Sequence, residues 1–332
     1  MDALTIRMDA LNVRRGRLPA ALMTLVLSSA CMAGTVDSAG GGAAGQPMVR
    51  IALGVDASYA PLYLAEERGL FEKVGVNVEL VKTEGGPAAT EAVTAGTAQI
   101  AANADSTALS LMVGSPGLRA LGVFQSSDRY LKVVLRDGIT SPKQIRTMAS
   151  IPGLGLYATH AYLRHHGIDP KSVKILQSSP PEIPGLLERG SIDAYVLFEP
   201  WAARGAAAGG HIEGRIGDFG VKYVQWLLAD QKWLKDNEDV AGKVFKAVAA
   251  ADKLVTDDPG AAAEAARKQV KLPVAETRKV LPEITFAARG LGDADVTESR
   301  RIVDFFVDQK LIKKSPDLGT VLLKGWYEQH GR

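Results

Sequence analysis

From residue 49 to residue 135 the chain alternates short apolar runs of strand composition with stretches whose apolar positions recur at helical spacing. Residues 49–55 read as a strand, and Leu62, Leu64, Ala65, Leu70 and Phe71 mark a helix that Gly75 stops. Residues 76–82 supply the next strand, so the first unit is βαβ. The pattern continues as a helix over 88–95, a strand over 98–102, a helix over 107–113 and strands over 118–124 and 132–135. After Asp137-Gly138 a second series begins: an apolar segment at 147–151, a helix over 157–166 ended by Gly167, a strand over 173–177, a short helix over 184–188 and a strand over 192–198. Residues 222–229 return as a strand. From Asp230 onward the period is almost entirely helical, with candidates at 240–255, 260–269, 274–281, 296–309 and 318–330. Strands alternating with helices predict an α/β protein with largely parallel sheets.

An α/β series, a smaller inserted one and a return strand leading into helices predict two α/β lobes joined by two crossovers. Residues 48–134 and 223–332 would form lobe I and residues 135–222 lobe II, with crossovers near 134–138 and 217–223. Ligands of open α/β sheets bind outside the carboxyl ends of the strands. The loops at Ser58, Thr83, Asn103, Gln125, Gly153 and Glu199 are therefore expected to face an interlobe cleft.

The amino terminus has the layout of an export signal. Arg14, Arg15 and Arg17 precede an apolar run over 18–27, and small residues from Ser28 to Gly34 offer a cleavage site, placing a signal peptide at residues 1–33. The apolar run is too short to cross a hydrocarbon core of about 30 Å. Cys31, the only cysteine, excludes an intrachain disulfide and stands where bacterial lipoproteins carry their lipid. Residues 34–47 would then be a flexible linker, and the protein periplasmic or membrane-tethered through Cys31. Removing the signal takes four arginines and two aspartates from 39 basic and 37 acidic residues, leaving 35 of each. A neutral balance gives no electrostatic footprint for nucleic acid.

Enzymatic and metal chemistry find little support. None of the five histidines forms an H-x-x-x-H or H-E-x-x-H pair, so no metal site is expected. No G-x-S-x-G elbow or phosphate-binding P-loop is present. No catalytic residue and no cofactor is expected. Gly153-Leu154-Gly155 is no dinucleotide fingerprint, because Ala158 replaces its third glycine.

Three segments carry a resemblance: Pro61-x-x-x-Ala65-x-x-x-Gly69-x-Phe71-x-x-x-Gly75-x-x-Val78, Gly190-Ser191-Ile192-Asp193-Ala194 and Glu199-Pro200-Trp201. Together they resemble the periplasmic substrate-binding proteins of ABC transporters for nitrate, sulfonates and taurine, a superfamily that shares its fold with the thiamine-precursor synthase. The resemblance covers about residues 49–325 and implies a type II periplasmic binding protein fold. Such a protein closes by hinge motion on a small molecule and presents it, as a monomer, to an inner-membrane ABC permease. A small organic or inorganic oxyanion is the expected ligand, because several helix amino ends converge on the cleft. An enzyme on the same scaffold acting on a small metabolite such as a thiamine precursor, with Glu199 or Asp105 as acid or base, or a ligand-sensing domain, are the alternatives; the cysteine-rich segment of the synthase is absent.

On that pattern Ser58 and Tyr59 sit at the amino end of the first helix, as ligand contacts or as an ordinary N-cap. Thr83 and Gly85 allow close backbone approach, Asn103 ends the third strand and Gln125 follows the fourth. Gly155, Tyr157 and Thr159 line the smaller lobe, where the segment departs from the Gly-Ser turn common in the family. Glu199 is the one acidic residue placed at the cleft, as a ligand acceptor or a structural carboxylate.

Overall fold

The computed structural model describes residues 45–332; the expected signal peptide, Cys31 and most of the linker lie outside the described residues. Strand β1 (Met48–Leu53) leads into helix α1 (Ala60–Glu67), which ends where Gly69 takes φ 62° before the short α2 (Leu70–Lys73). One expected helix is thus two, because the left-handed Gly69 reverses the chain between them. Strand β2 (Asn77–Lys82), α3 (Gly86–Thr94), β3 (Ile100–Ala104), α4 (Asp105–Met112) and β4 (Leu118–Ser127) follow close to the expected positions. The next elements are β5 (Lys132–Arg136), β6 (Thr147–Ser150), α5 (Leu154–His165), β7 (Lys174–Gln177), α6 (Ile183–Glu188), β8 (Ala194–Leu197), α7 (Trp201–Ala207) and β9 (Gly210–Arg215). The chain then forms β10 (Tyr223–Asp230), α8 (Gln231–Asp257), α9 (Pro259–Val270), α10 (Val274–Val280), β11 (Thr285–Arg289), α11 (Asp293–Asp308) and α12 (Leu318–Val321).

These strands form two sheets, a six-stranded one in the order β11-β4-β10-β3-β1-β2 and a five-stranded one in the order β7-β6-β8-β5-β9. Both are mixed rather than largely parallel. In the first, β1 runs parallel to β2 and β3, while β10 is antiparallel to β3 and β4, and β11 to β4. In the second, β6 is parallel to β7 and β8, and β5 is antiparallel to β8 and β9. Because β5 pairs within the second sheet, the chain first crosses at residues 128–131, ahead of the expected 134–138; it returns between Phe219 and Tyr223.

The central strands explain the packing. β3 is buried along its whole length and β10 along all but its last residue, because helices cover both faces of that sheet. On α8, beyond a kink at Asn237, Ala241, Val244, Phe245, Val248, Ala251 and Val255 follow helical spacing and form its buried stripe. The Asp230 carboxylate caps this helix by accepting the Lys232 N–H at 2.8 Å. Four elements differ from the expected pattern: α7, β9 and β11 were not expected, and the last expected helix is cut short. β9 and β11 are edge strands; β9 buries no residue and β11 only Phe286. The expected helix over 318–330 stops at Val321, since Leu322 bridges to Ala120 of β4. No helix of the described residues is long and apolar enough to cross a membrane.

Candidate functional site

The carboxyl ends of β1, β3 and β4 and the amino end of β10 bring a set of buried polar groups together. After β1, Asp56 caps a turn of 3-10 helix, Ala57–Tyr59, by accepting the Ser58 N–H at 2.7 Å. Pro61 then sets the first turn of α1. Ser58 is wholly buried. Its hydroxyl lies 3.0 Å from the Tyr223 hydroxyl and accepts from the Gln225 amide at 2.7 Å. Gln225 faces Gln125 across the β10–β4 register. Gln125 is 0% exposed, yet neither its Oε1 nor its Nε2 has a hydrogen-bond partner. The Gln225 Oε1, the Ser106 hydroxyl at the start of α4 and the Thr159 hydroxyl on α5 are buried and unpartnered as well. A buried polar group without a partner costs about 1–3 kcal/mol, so the facing amides of Gln125 and Gln225 mark a place where a polar molecule would satisfy both.

The other expected site residues have structural partners. Asn103 donates to the Thr90 hydroxyl at 2.8 Å and accepts the Ala104 N–H at 2.7 Å, which braces α3 against β3. Gly86 is pressed on that amide, where a Cβ would lie 1.7 Å from Oδ1. The Thr83 hydroxyl is within 3.1 Å of the Leu53 carbonyl and 3.0 Å of the Gly85 carbonyl, and Gly85 has φ 144°, which glycine tolerates best. Tyr59 is buried, with its ring against Gly54. Gly155 lies against Ile151 and Ser150. Glu199, expected as a cleft acceptor, has both oxygens engaged: Oε1 pairs with Lys132 at 2.7 Å and Oε2 accepts the Ala203 N–H at 2.9 Å on α7.

Tyr157 and Thr159, expected at one site, stand roughly 200° apart around α5 at 100° per residue. Thr159 turns inward with an unpartnered hydroxyl, whereas the Tyr157 hydroxyl donates to Glu298 of α11 at 3.3 Å. Burial, with Glu298 as a second cause, pushes the Tyr157 hydroxyl up to about 12.

Several residues at the site were not singled out from the sequence. Tyr130, in the first crossing segment, lies with its hydroxyl 3.2 Å from both the Asp56 carboxylate and the Glu199 carbonyl. Its ring stacks between Phe198 and Tyr223, with centroids at 6.2 and 6.0 Å. Lys132 also pairs with Glu283 at 3.0 Å, so two carboxylates surround one buried ammonium. Burial raises the Asp56 carboxyl to about 6, against the opposing hydrogen bonds from Ser58, and raises Asp105 to about 7. The signal for Tyr223 and Gln225 was their two-residue spacing within an otherwise apolar strand, which puts both on one face.

Helices α4 and α5, which accompany the first and second sheets, meet at their amino ends. The Leu154 N–H at the start of α5 donates to the Thr107 hydroxyl of α4 at 3.4 Å. Gly153, at φ 68°, packs so closely that a Cβ would stand 2.4 Å from that hydroxyl oxygen. Among the described residues no group of His, Cys, Asp and Glu is arranged to hold a metal ion.

Two mixed sheets joined by two crossings have the architecture of the periplasmic binding protein fold. The chain belongs to the NMT1-like family, whose model matches residues 42–269. A putative binding protein, YtlA, of Bacillus subtilis strain 168 is 28% identical over 211 residues, an alignment spanning 59% of this chain and 62% of that one. The periplasmic aliphatic sulphonate binding protein SsuA of Escherichia coli superposes with a TM-score of 0.74 at 16% identity, over 83% of this chain and 92% of that one. The periplasmic nitrate-binding protein NrtA of Synechocystis PCC 6803 does so at 0.70 and 12%, over 83% and 84%. At such identities these two structures share the fold.

Proposed function

We propose that the chain is the solute-binding component of an ABC importer, acting outside the cytoplasm as a monomer beside an inner-membrane permease. The solute would sit between the two sheets against Gln125, Gln225, Ser106 and Thr159. The observation that carries this reading is Gln125, a fully buried amide with no partner for its donor or its acceptor. The likeness to SsuA, NrtA and YtlA supports the class of function and the location. For the enzyme alternative, Glu199 has both oxygens engaged, which leaves Asp105 as the acid or base it would need.

Local charge bears on the ligand. The Asp56 carboxylate takes the Ser58 N–H, and the Asp105 carboxylate takes the Ser106 N–H at 2.5 Å, so acids occupy the amino ends expected to receive an oxyanion. The two buried cations among the described residues are also engaged: Lys132 by Glu199 and Glu283, and Arg119 by the carbonyls of Pro116 and Leu118. We therefore infer a small neutral or cationic solute with hydrogen-bond donors and acceptors. A sulfonate- or nitrate-like oxyanion is the second reading, supported by the ligands named for SsuA and NrtA.

A thermal-shift panel of hydroxylated and amine-bearing metabolites, thiamine precursors, sulfonates, nitrate and bicarbonate tests both. A solute at about 100 times its dissociation constant adds about 2.7 kcal/mol of stability. A response confined to sulfonates or nitrate restores the oxyanion. Silence across a panel of all these classes counts against solute binding itself.

A further inference from the structure

Beyond that solute site, we propose a second binding site, for a small aromatic monoanion, in the groove between α5 and α11. Tyr157, Ala161, Arg164 and His165 recur at positions i, i+4, i+7 and i+8, which places them on one face of α5, turned away from Thr159. Together with Arg301 and Phe305 of α11, and with Phe219 and Val221 of the return crossing, they line a cavity of about 350 Å³. That volume suits one substituted ring.

Two features select the ligand class. The first is charge. Arg301 donates to Glu298 at 2.8 Å and to the Gly220 carbonyl at 2.9 Å, so Glu298 neutralises it. Arg164 makes no ion pair or side-chain hydrogen bond among the described residues. Two guanidiniums against one carboxylate leave a single positive charge unmatched, which fits a monoanion. Arg164 also acts on its surroundings: after burial, it is the second cause that lowers the neighbouring His160 to about 4. The second feature is shape. The Arg164 guanidinium lies 5.3 Å over the Phe305 ring, and Tyr157 meets Phe305 edge-on at 5.2 Å. A carboxylate or sulfonate would take the planar fork of Arg164 while its ring lay against Phe219 and Phe305.

The groove joins α5, carried by the second sheet, to α11, which follows β11 of the first. An occupant would therefore favour the arrangement in which those helices face each other, and by linkage the two sites would influence each other's affinity.

The test titrates the full chain with 4-fluorobenzoate, followed by fluorine NMR and calorimetry, beside the uncharged 4-fluorobenzamide. Binding below about 1 mM is expected for the acid and none for the amide. Arg164→Ala is expected to weaken the acid by at least about tenfold, with partial rescue in Arg164→Lys, since Lys keeps the charge and loses the fork. Ala161→Trp, which fills the groove, is expected to abolish binding, and Gln125→Leu to leave it within about twofold when no solute is present, since Gln125 does not line the groove and linkage acts only through an occupied solute site. The proposal is overturned if the acid does not bind, if the amide binds equally, or if Arg164→Ala and Ala161→Trp change nothing. It is also overturned if Gln125→Leu removes binding, which would put the probe at the solute site.

Discussion

At the scale of single residues, Gln125 separates stability from binding. Leucine has a similar volume and no polar atoms, and replacing an unpartnered buried amide by it removes a desolvation penalty. Gln125→Leu is expected to leave the solute-free protein as stable as wild type or more so, while solute affinity falls by about tenfold or more. Paired urea denaturation and calorimetry check both halves; a variant that unfolds yet binds normally would contradict the assignment. Asp56 makes a prediction of opposite character. Its folded-state value is about 6 against 3.8 for the ordinary carboxyl, so the native state holds the proton more tightly. That contribution is fully present below about pH 4 and is lost as pH rises toward 6, costing at most about 3 kcal/mol. Asp105 acts in the same direction over a window reaching about pH 7. Urea midpoints measured from pH 4 to 7 should fall less steeply in Asp56→Asn, and less again in Asp56→Asn/Asp105→Asn. An unchanged slope in both would show that these carboxyls do not drive it. Asn103 and Glu199 show what composition alone does not reveal. The residue types suit ligand contact, but Thr90, Lys132 and the backbone N–H groups of Ala104 and Ala203 take their polar atoms first.

At the scale of elements, the contact between the starts of α4 and α5 is the most sensitive joint. Gly153 holds φ 68° and has no room for a Cβ beside Thr107. Gly153→Ala is expected to push α5 off α4, costing about 1–3 kcal/mol in the compact form and raising the radius of gyration of the solute-free protein. Small-angle scattering checks this, and a profile superimposable on wild type would contradict it. Buried elements were the legible ones in the sequence. β1, β3, β4 and β10 read as apolar runs, and α5, α8, α9 and α11 as helical periods, because burial on a face imposes a period. β9 and β11 were illegible because β9 buries no residue and β11 only Phe286, whereas the edge strands β2 and β7 were legible from their Val, Ile and Leu content. Of the loops expected to face the cleft, those at Asn103 and Glu199 have their polar atoms taken within the protein, while Gln125 lies buried opposite Gln225. Gln225 stayed hidden because only the antiparallel insertion of β10 between β3 and β4 brings it opposite Gln125.

At the scale of the whole molecule, two sheets, two crossings and one stack of Phe198, Tyr130 and Tyr223 make a body whose halves are tied at the crossings. If the solute enters between the halves, Lys132 supports the joint as well as the charge balance, because its partners Glu199 and Glu283 come from opposite sides of it. Lys132→Ala would leave two buried carboxylates without their cation and is expected to cost about 3–5 kcal/mol. Thermal denaturation at neutral pH checks this, and a loss below about 1 kcal/mol would mean that the pair behaves as a surface ion pair. The strand order carries a further consequence for biogenesis. β10 completes the interior of the first sheet, yet it is made only after the whole second sheet. A nascent chain ending at residue 222 would hold β3 and β4 as two bare margins with a strand-wide gap between them, prone to catch a neighbouring polypeptide. The largest core cannot dry out until the last third of the chain emerges, so this protein must be kept from premature collapse for most of its synthesis.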